Sequence, residues 1–308
     1  MGKLHRPRFG SLQFWPRKRA KKEIPSVNWK HLENAQAKNR LLGFIGYKAG
    51  MKSILVKDNT PHSLTKGKNI VLPVTIVECP PLKIFSIRLY KNKRVVSEIL
   101  ASSIEKEIGR KLKIPKKAKN EEKDFDDVRL IVYSLVKRTG IKKTPDIAEI
   151  GLKGNAQEKF EFAKSLLNKE MNIEDFFDKN QLVDIHAVTK GKGFTGPVKR
   201  FGISLKPHKT EKGVRRPGSL GPWHPARVNF RVAMAGQFGY FTRVKYNNKI
   251  INFGKEPLEF PHYGKIKTSY VMIKGSVHGP TKRAVILTAP SRPTRHATKE
   301  NYEFVRML

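Results

Sequence analysis

Gly191, Gly193 and Gly196 spell G-x-G-x-x-G directly after a run of strand-forming residues, with Glu211 twenty residues beyond the first glycine. Such a loop cradles a dinucleotide pyrophosphate when a helix begins inside the motif and aims its N-terminus at the anion. Pro197, Gly202 and Pro207 follow instead, and no helical period appears, so the cofactor reading fails on context. In AGMKS (49–53), Met51 stands where a phosphate-binding loop needs its second glycine, and the segment reads as an ordinary turn. Nine histidines are scattered without metal-ligand spacing; His186, on a predicted strand, reads as a packed or surface side chain. Cys79 is the only cysteine, so neither an intrachain disulfide nor a Cys-rich zinc site is available. Within VLPVTIVEC (71–79) it reads as a small core residue, and its solitude agrees with a reducing, cytoplasmic setting. No carboxylate pair, serine elbow or Cys–His arrangement is evident, and neither catalysis nor a cofactor is expected.

The chemistry that remains is electrostatic. The 308 residues hold 63 Lys or Arg against 26 Asp or Glu, a formal net charge of +37. That imbalance exceeds what solubility needs, and a surface so basic repels itself unless a polyanion neutralises it. No apolar run approaches the roughly 20 residues of a membrane span, and the start, His5-Arg6-Pro7-Arg8, lacks the apolar core of a signal peptide. Nucleic acid is the polyanion left.

The charge is concentrated in two places. Residues 1–30 hold nine basic side chains and one acid, and residues 188–243 hold twelve and one. Residues 190–229 combine seven glycines, five prolines and ten Lys or Arg with no sustained period of 2 or 3.6. Such a stretch cannot bury enough apolar area to offset its ordering entropy. A flexible linker has the same composition, but linkers rarely carry rings such as Phe194, Phe201, Trp223 and Phe230. Cations at intervals with interleaved aromatics fit RNA: Lys and Arg meet phosphates, and rings stack on unpaired bases. The expected phosphate contacts are Lys190, Lys192, Lys199, Arg200, Lys206, Lys209, Lys212, Arg215, Arg216 and Arg227, with Phe194 beside them. Trp223 either stacks on a base or braces the tip, and His224 is an RNA contact or a turn residue between prolines. The arm HRPRFGSLQFWPRKRAKK (5–22) repeats this chemistry with Arg6, Arg8, Arg17, Lys18 and Arg19. A bare basic run also serves as a nuclear-localisation signal or a solvated tail, but Phe9, Phe14 and Trp15 favour insertion into folded RNA. The extension is expected to order only when RNA surrounds it.

The elements that must hold these segments are mostly strands. SILV (53–56), VLPVTIVE (71–78), KIFSIRLY (83–90), LVDIHAVT (182–189), RVKYNNKIINF (243–253), SYVMIKGSV (269–277) and RAVILTA (283–289) are rich in β-branched and aromatic residues. Asn247-Asn248 suits a hairpin turn. A closed or nearly closed β-barrel is expected. Residues 91–180, with 21 basic and 16 acidic side chains, read as a folded α+β lobe inserted into it. There, VVSEILASSIEKEI (95–108) spaces Val96, Ile99, Leu100, Ile104 and Ile108 as one helical face, while VRLIVYSL (128–135) and PDIAEIGL (145–152) are strand-like. Asn155 and Glu158 resemble a capping box for a helix through about Asn168, with Phe160, Ala163 and Leu167 packing on those strands. The expected division is an arm (1–30), a barrel (31–90 and 181–290, carrying the 190–229 extension), the lobe (91–180) and a C-terminal tail (291–308).

TKGKGFTGPVKRFG (189–202), GSLGPWHPARV (218–228) and RVAMAGQFGYFTRVKYNNKI (231–250) closely resemble the universal L-three family of large-subunit ribosomal proteins. HRPRFGSLQFWPRKRA (5–20) and PDIAEIGLKGNAQEKFEFAKSLL (145–167) resemble its archaeal and eukaryotic branch. The resemblance covers most of residues 1–290. It implies a six-stranded barrel of the translation-protein type on the solvent side of the large subunit. It also implies a long extension toward the peptidyl-transferase centre, tipped by Trp223, His224 and Pro225. Members bind large-subunit rRNA near its 3′ end, act early in assembly and lie beside the L-fourteen and L-twenty-four-e proteins, which implies those partners here and no homo-oligomer. Two other classes stay open on the sequence: an RNA-modifying enzyme, and a sequence-independent DNA-packaging protein.

Overall fold

The computed structural model describes residues 10–33, 35, 39–115 and 123–308. Arg6, Arg8 and Phe9 lie outside them. The fold is mainly β, and it divides into two compact units: residues 1–21 with 189–242, and residues 22–188 with 243–308.

The strands in chain order are β1 (Gly43–Asp58), β2 (Asn69–Glu78), β3 (Leu82–Lys91), β4 (Arg94–Leu100), β5 (Asp127–Ser134), β6 (Ile147–Gly151), β7 (Leu182–Val188), β8 (Phe194–Thr195), β9 (Gly236–Gln237), β10 (Thr242–Gly254), β11 (Glu259–Phe260), β12 (Gly264–Lys265), β13 (Tyr270–Lys274), β14 (Ala284–Thr288) and β15 (Tyr302–Met307). Among the described residues three α-helices join them: α1 (Ala156–Leu166), α2 (Pro197–Phe201) and α3 (Arg295–Lys299).

In the larger unit one sheet runs β14-β7-β10-β13-β2-β1-β15, and β14 also pairs with β1, Ile286 opposite Ile45. Hydrogen bonding therefore returns on itself through six strands, and β15, from the C-terminal tail, adds to the distal half of β1. Alternation is lost where strands are covered on both faces: β14 (AVILT) is buried at every position. A second sheet runs β4-β3-β5-β6, with α1 laid on β5 through Phe160 and Ala163. Phe44, Ile45 and Ile286 of the first sheet share one apolar cluster with Ile84, Leu130 and Ile150 of the second. Trp29, 4% exposed, is wedged between them. A Cβ on Gly43 or on Gly151 would come within 2.7 Å of its side chain, so both positions need glycine for close approach. Cys79 is fully buried just beyond β2, as expected of a core residue, and burial pushes its thiol up.

Five local expectations are corrected. Residues 94–100 form a strand and not a helix: Asn92 and Lys93, at φ 51° and 65°, make a two-residue turn that folds β4 back on β3, and pairing overrides the helical spacing. Asn247 does not turn a hairpin. It takes φ 55° inside the continuous β10, where its N–H donates to the Asp184 carboxylate at 2.8 Å, so its tolerance of positive φ bends one strand. AGMKS is no turn but part of β1, with a register shift between Lys48 and Gly50; Phe260 occupies the space a Cβ on Gly50 would need. Asn155 caps α1 by position only, without a side-chain hydrogen bond, and Glu158 pairs with Arg40 at 3.0 Å. The reciprocal capping box lies instead at Asn172 and Asp175. The fifth correction concerns α2, in the other unit.

Candidate nucleic-acid interface

The smaller unit is built on a short ladder. β8 pairs with β9, Phe194 opposite Gln237, and the ladder continues through Lys192 N–H to Phe238 O and Phe238 N–H to Gly193 O, both 2.9 Å. Gly239, at φ 72°, lets the chain pass so close to the Lys190 carbonyl that any Cβ would collide with it. The sequence predicts no helix after Gly196, yet α2 opens there for five residues. Pro197 presets φ for its first residue and Gly202, at φ 60°, ends it. One turn carries too small a dipole to act as the pyrophosphate site of a dinucleotide fold, so the cofactor reading still fails.

Arg200 on α2 faces inward. Its Nε donates to Gln237 O at 3.1 Å and its Nη1 to Met234 O at 2.9 Å, so this guanidinium fastens the base of the extension. Arg17 of the arm is placed similarly, 4.3 Å from the Phe201 ring and 4.9 Å from Trp15, with Nη2 donating to Ser11 O. Trp15 meets Phe230 edge-on at 5.3 Å. Lys18, Arg19, Ala20 and Lys21 then run along a cleft of about 680 Å³ whose other wall is Gly191, Gly193, Gln237 and Tyr240. Ala20 N–H donates to Tyr240 O at 2.8 Å and holds that register. The basic run signals Lys21, while Gln237 and Tyr240 fall inside the family-like stretch 231–250 without being singled out there.

Beyond α2 the chain makes no further strand or helix until β9. No residue from 202 to 235 is buried, and every residue from 218 to 231 is exposed. Lys206, Lys209, Lys212, Arg215, Arg216, His224 and Arg227 all lie in this stretch, with Trp223 at 85% exposure. Lys190, Lys192, Lys199 and Phe194, 81% exposed, are displayed around the base. The structure therefore gathers Arg17, Lys18, Arg19, Lys190 and Lys192 into one region and strings the cations from Lys206 to Arg227 along an open limb. No group of three or more His, Cys, Asp or Glu is placed to hold a metal among the described residues, and none of their helices is long and apolar enough to cross a membrane.

A polycationic limb with exposed rings and no core of its own is what sequence comparison then accounts for. The model of the family described as ribosomal protein L3 matches residues 1–305. The chain belongs to the ribosomal protein L3 family. It is 39% identical to the large ribosomal subunit protein uL3 of Archaeoglobus fulgidus, over 95% of this chain and 94% of that one. It is 41% identical to the uL3 of Methanocaldococcus jannaschii, over 94% and 92%, and 42% identical to that of Methanococcus vannielii, over 94% and 93%. Membership of the L3 family makes this a ribosomal, RNA-binding structural protein and not an enzyme, and favours neither the RNA-modifying nor the DNA-packaging alternative.

Proposed function

We propose that this chain is a structural constituent of the cytoplasmic large ribosomal subunit, where its arm and limb neutralise phosphates between rRNA helices. The observation that carries the reading is the limb from 202 to 235, which buries nothing of its own while exposing Lys209, Lys212, Arg215, Arg216, Arg227 and Trp223. A segment in that state gains its order from a polyanion that encloses it.

In finer detail, the six-strand circuit is the translation-protein-type barrel, seated on the solvent side near the 3′ end of the large-subunit rRNA, and the lobe supports it. The arm comprises residues 1–30, the barrel 31–90 and 181–290, the lobe 91–180 and the tail 291–308. Trp223, His224 and Pro225 form the tip directed toward the peptidyl-transferase centre, and the L-fourteen and L-twenty-four-e proteins are the neighbours. The family resemblance supports these placements, together with the exposure of Trp223 and of the basic residues along 202–235. Assembly of the subunit begins with such contacts in place.

Sedimentation of the native protein from a cell lysate tests the general reading: co-migration with the large subunit, resistant to moderate salt, is the expected result. Limited trypsin digestion tests the ordering of the limb. Free protein is expected to be cut first at Lys209, Lys212 and Arg215, with protection once rRNA is added. Resistance of that stretch in the free chain would overturn the claim that RNA orders it.

A further inference from the structure

The larger unit has a cationic centre of its own. It lies on the loop between β13 and β14, residues 275–283, where three parts of the chain meet. Lys48 of β1 donates through Nζ to Val277 O at 2.6 Å and Gly279 O at 3.1 Å. Lys245 of β10 donates to Ser276 O at 2.7 Å. Lys48 also exchanges backbone bonds with this loop, to Arg283 O at 3.2 Å and from Lys282 N–H at 2.8 Å. A Cβ on Gly279 would stand 3.0 Å from Val188 O, so the loop also presses on the end of β7. His278 sits at the centre of the loop, half-buried, with Lys48, Arg243 and Lys245 as the charges that bear on it.

The stretches that meet here, 44–52, 242–254 and 270–288, contain not one Asp or Glu. Asp184, the nearest acid along β7, is committed to Asn247 and Ser291. Burial holds Lys48, Arg243 and Lys245 below their ordinary ranges, and burial together with the three cations holds His278 below that of a histidine. The two lysines could serve only to staple the loop to the sheet. That role does not account for His278 beside them, and it uses only two of three donors on Lys48 and one of three on Lys245. Cations concentrated without a carboxylate are the surroundings that phosphate oxygens complement.

We propose that Lys48, Arg243, Lys245 and His278 form a second RNA-phosphate site, set on the strand circuit itself and separate from the limb. It rests on the RNA-binding reading above and adds a grip that does not depend on the limb becoming ordered. The loop serves as the template: its carbonyls fix the two ammonium groups, and the phosphodiester backbone takes the donors that remain.

The test uses the full chain and a large-subunit rRNA transcript. The salt dependence of binding is measured for the natural sequence and for Lys245→Gln and Arg243→Gln, and lysine acetylation is mapped on the natural protein, free and bound. Each substitution is expected to lower the log–log salt slope by about 0.7–0.9, and Lys245 is expected to become protected when RNA binds. Unchanged slopes, or Lys245 equally reactive in the complex, would overturn the site. Should a variant fail to fold, the acetylation map of the natural protein decides alone. A natural protein that does not bind the transcript at all would instead overturn the wider RNA-binding reading, and this one with it.

Discussion

In the larger unit Glu78 is fully buried, and four donors converge on its carboxylate: the Tyr263 hydroxyl, the amides of Lys267 and Thr268 at 2.9 and 3.0 Å, and the Thr268 hydroxyl at 2.9 Å. Asp184, 1% exposed, is met likewise by Asn247 N–H and by the amide and hydroxyl of Ser291, all at 2.8 Å. In the limb, residues 218–231 have no buried member, and the one acid between 189 and 242 is Glu211. The larger unit pairs these two buried carboxylates internally, whereas the limb exposes its cations with a single acid among them. Stability and function are thus carried by different residues, and substitutions should separate them.

The largest effect belongs to Glu78→Ala. Four donors lose their acceptor inside a closed core, and buried groups left unpaired cost more than the hydrogen bonds were worth. Urea denaturation should show a loss of about 3 kcal/mol or more. The tryptic pattern of the limb should stay as in the natural protein. A loss of stability accompanied by altered cleavage at Lys209 or Arg215 would break the separation.

Trp223→Ala should do the opposite. Nothing in the larger unit depends on a ring 85% exposed, so the melting midpoint should hold. Affinity for large-subunit rRNA should fall by about 1–3 kcal/mol, the value of one base stacked on an aromatic ring. An affinity within twofold of the natural protein would remove Trp223 from the binding surface, and leave it as a brace for the tip.

Arg200→Met sharpens the boundary inside the smaller unit, because this cation is spent on carbonyls at Gln237 and Met234 and not displayed. A side chain of similar length without donors should loosen the β8–β9 base by about 1 kcal/mol, the worth of such bonds. Faster hydrogen exchange at the Phe238 amide would report it, with no change in the slope of salt dependence.

Strand-forming runs in the sequence locate β1–β3, β5–β7, β13 and β14, since β-branched residues in short blocks have few other solutions. The limb is legible there too, because its composition forbids a core. Sequence reasoning fails where one residue type serves two geometries. Asn92 and Lys93 take the turn, while Asn247, with the same tolerance of positive φ, bends a strand. The spacing of Val96, Ile99 and Leu100 fits a helical face and not the period of two of a strand, yet pairing with β3 overrides it. The cluster at Lys48, Arg243, Lys245 and His278 is invisible in sequence, because three distant segments assemble it and none is individually basic enough to attract notice. Arg200 shows the converse limit: its charge is visible in sequence, its inward direction is not.

Lys209→Gln is the smallest change and tests the comparison at its finest grain. Lys209 is exposed, lies in a stretch with no strand or helix, and should contribute one phosphate contact and nothing to folding. Counterion release makes that contribution visible as a slope even when its free energy at ordinary salt is small. The log–log salt slope for rRNA should fall by about 0.7–0.9, while thermal and urea midpoints stay unchanged. Lys91 supplies the contrast: also a surface lysine, it is paired with Asp124 at 2.6 Å in the larger unit, and Lys91→Gln should leave the slope untouched. Equal slopes for the two variants would mean that the net charge of the chain, and not its placement along the limb, governs binding to RNA.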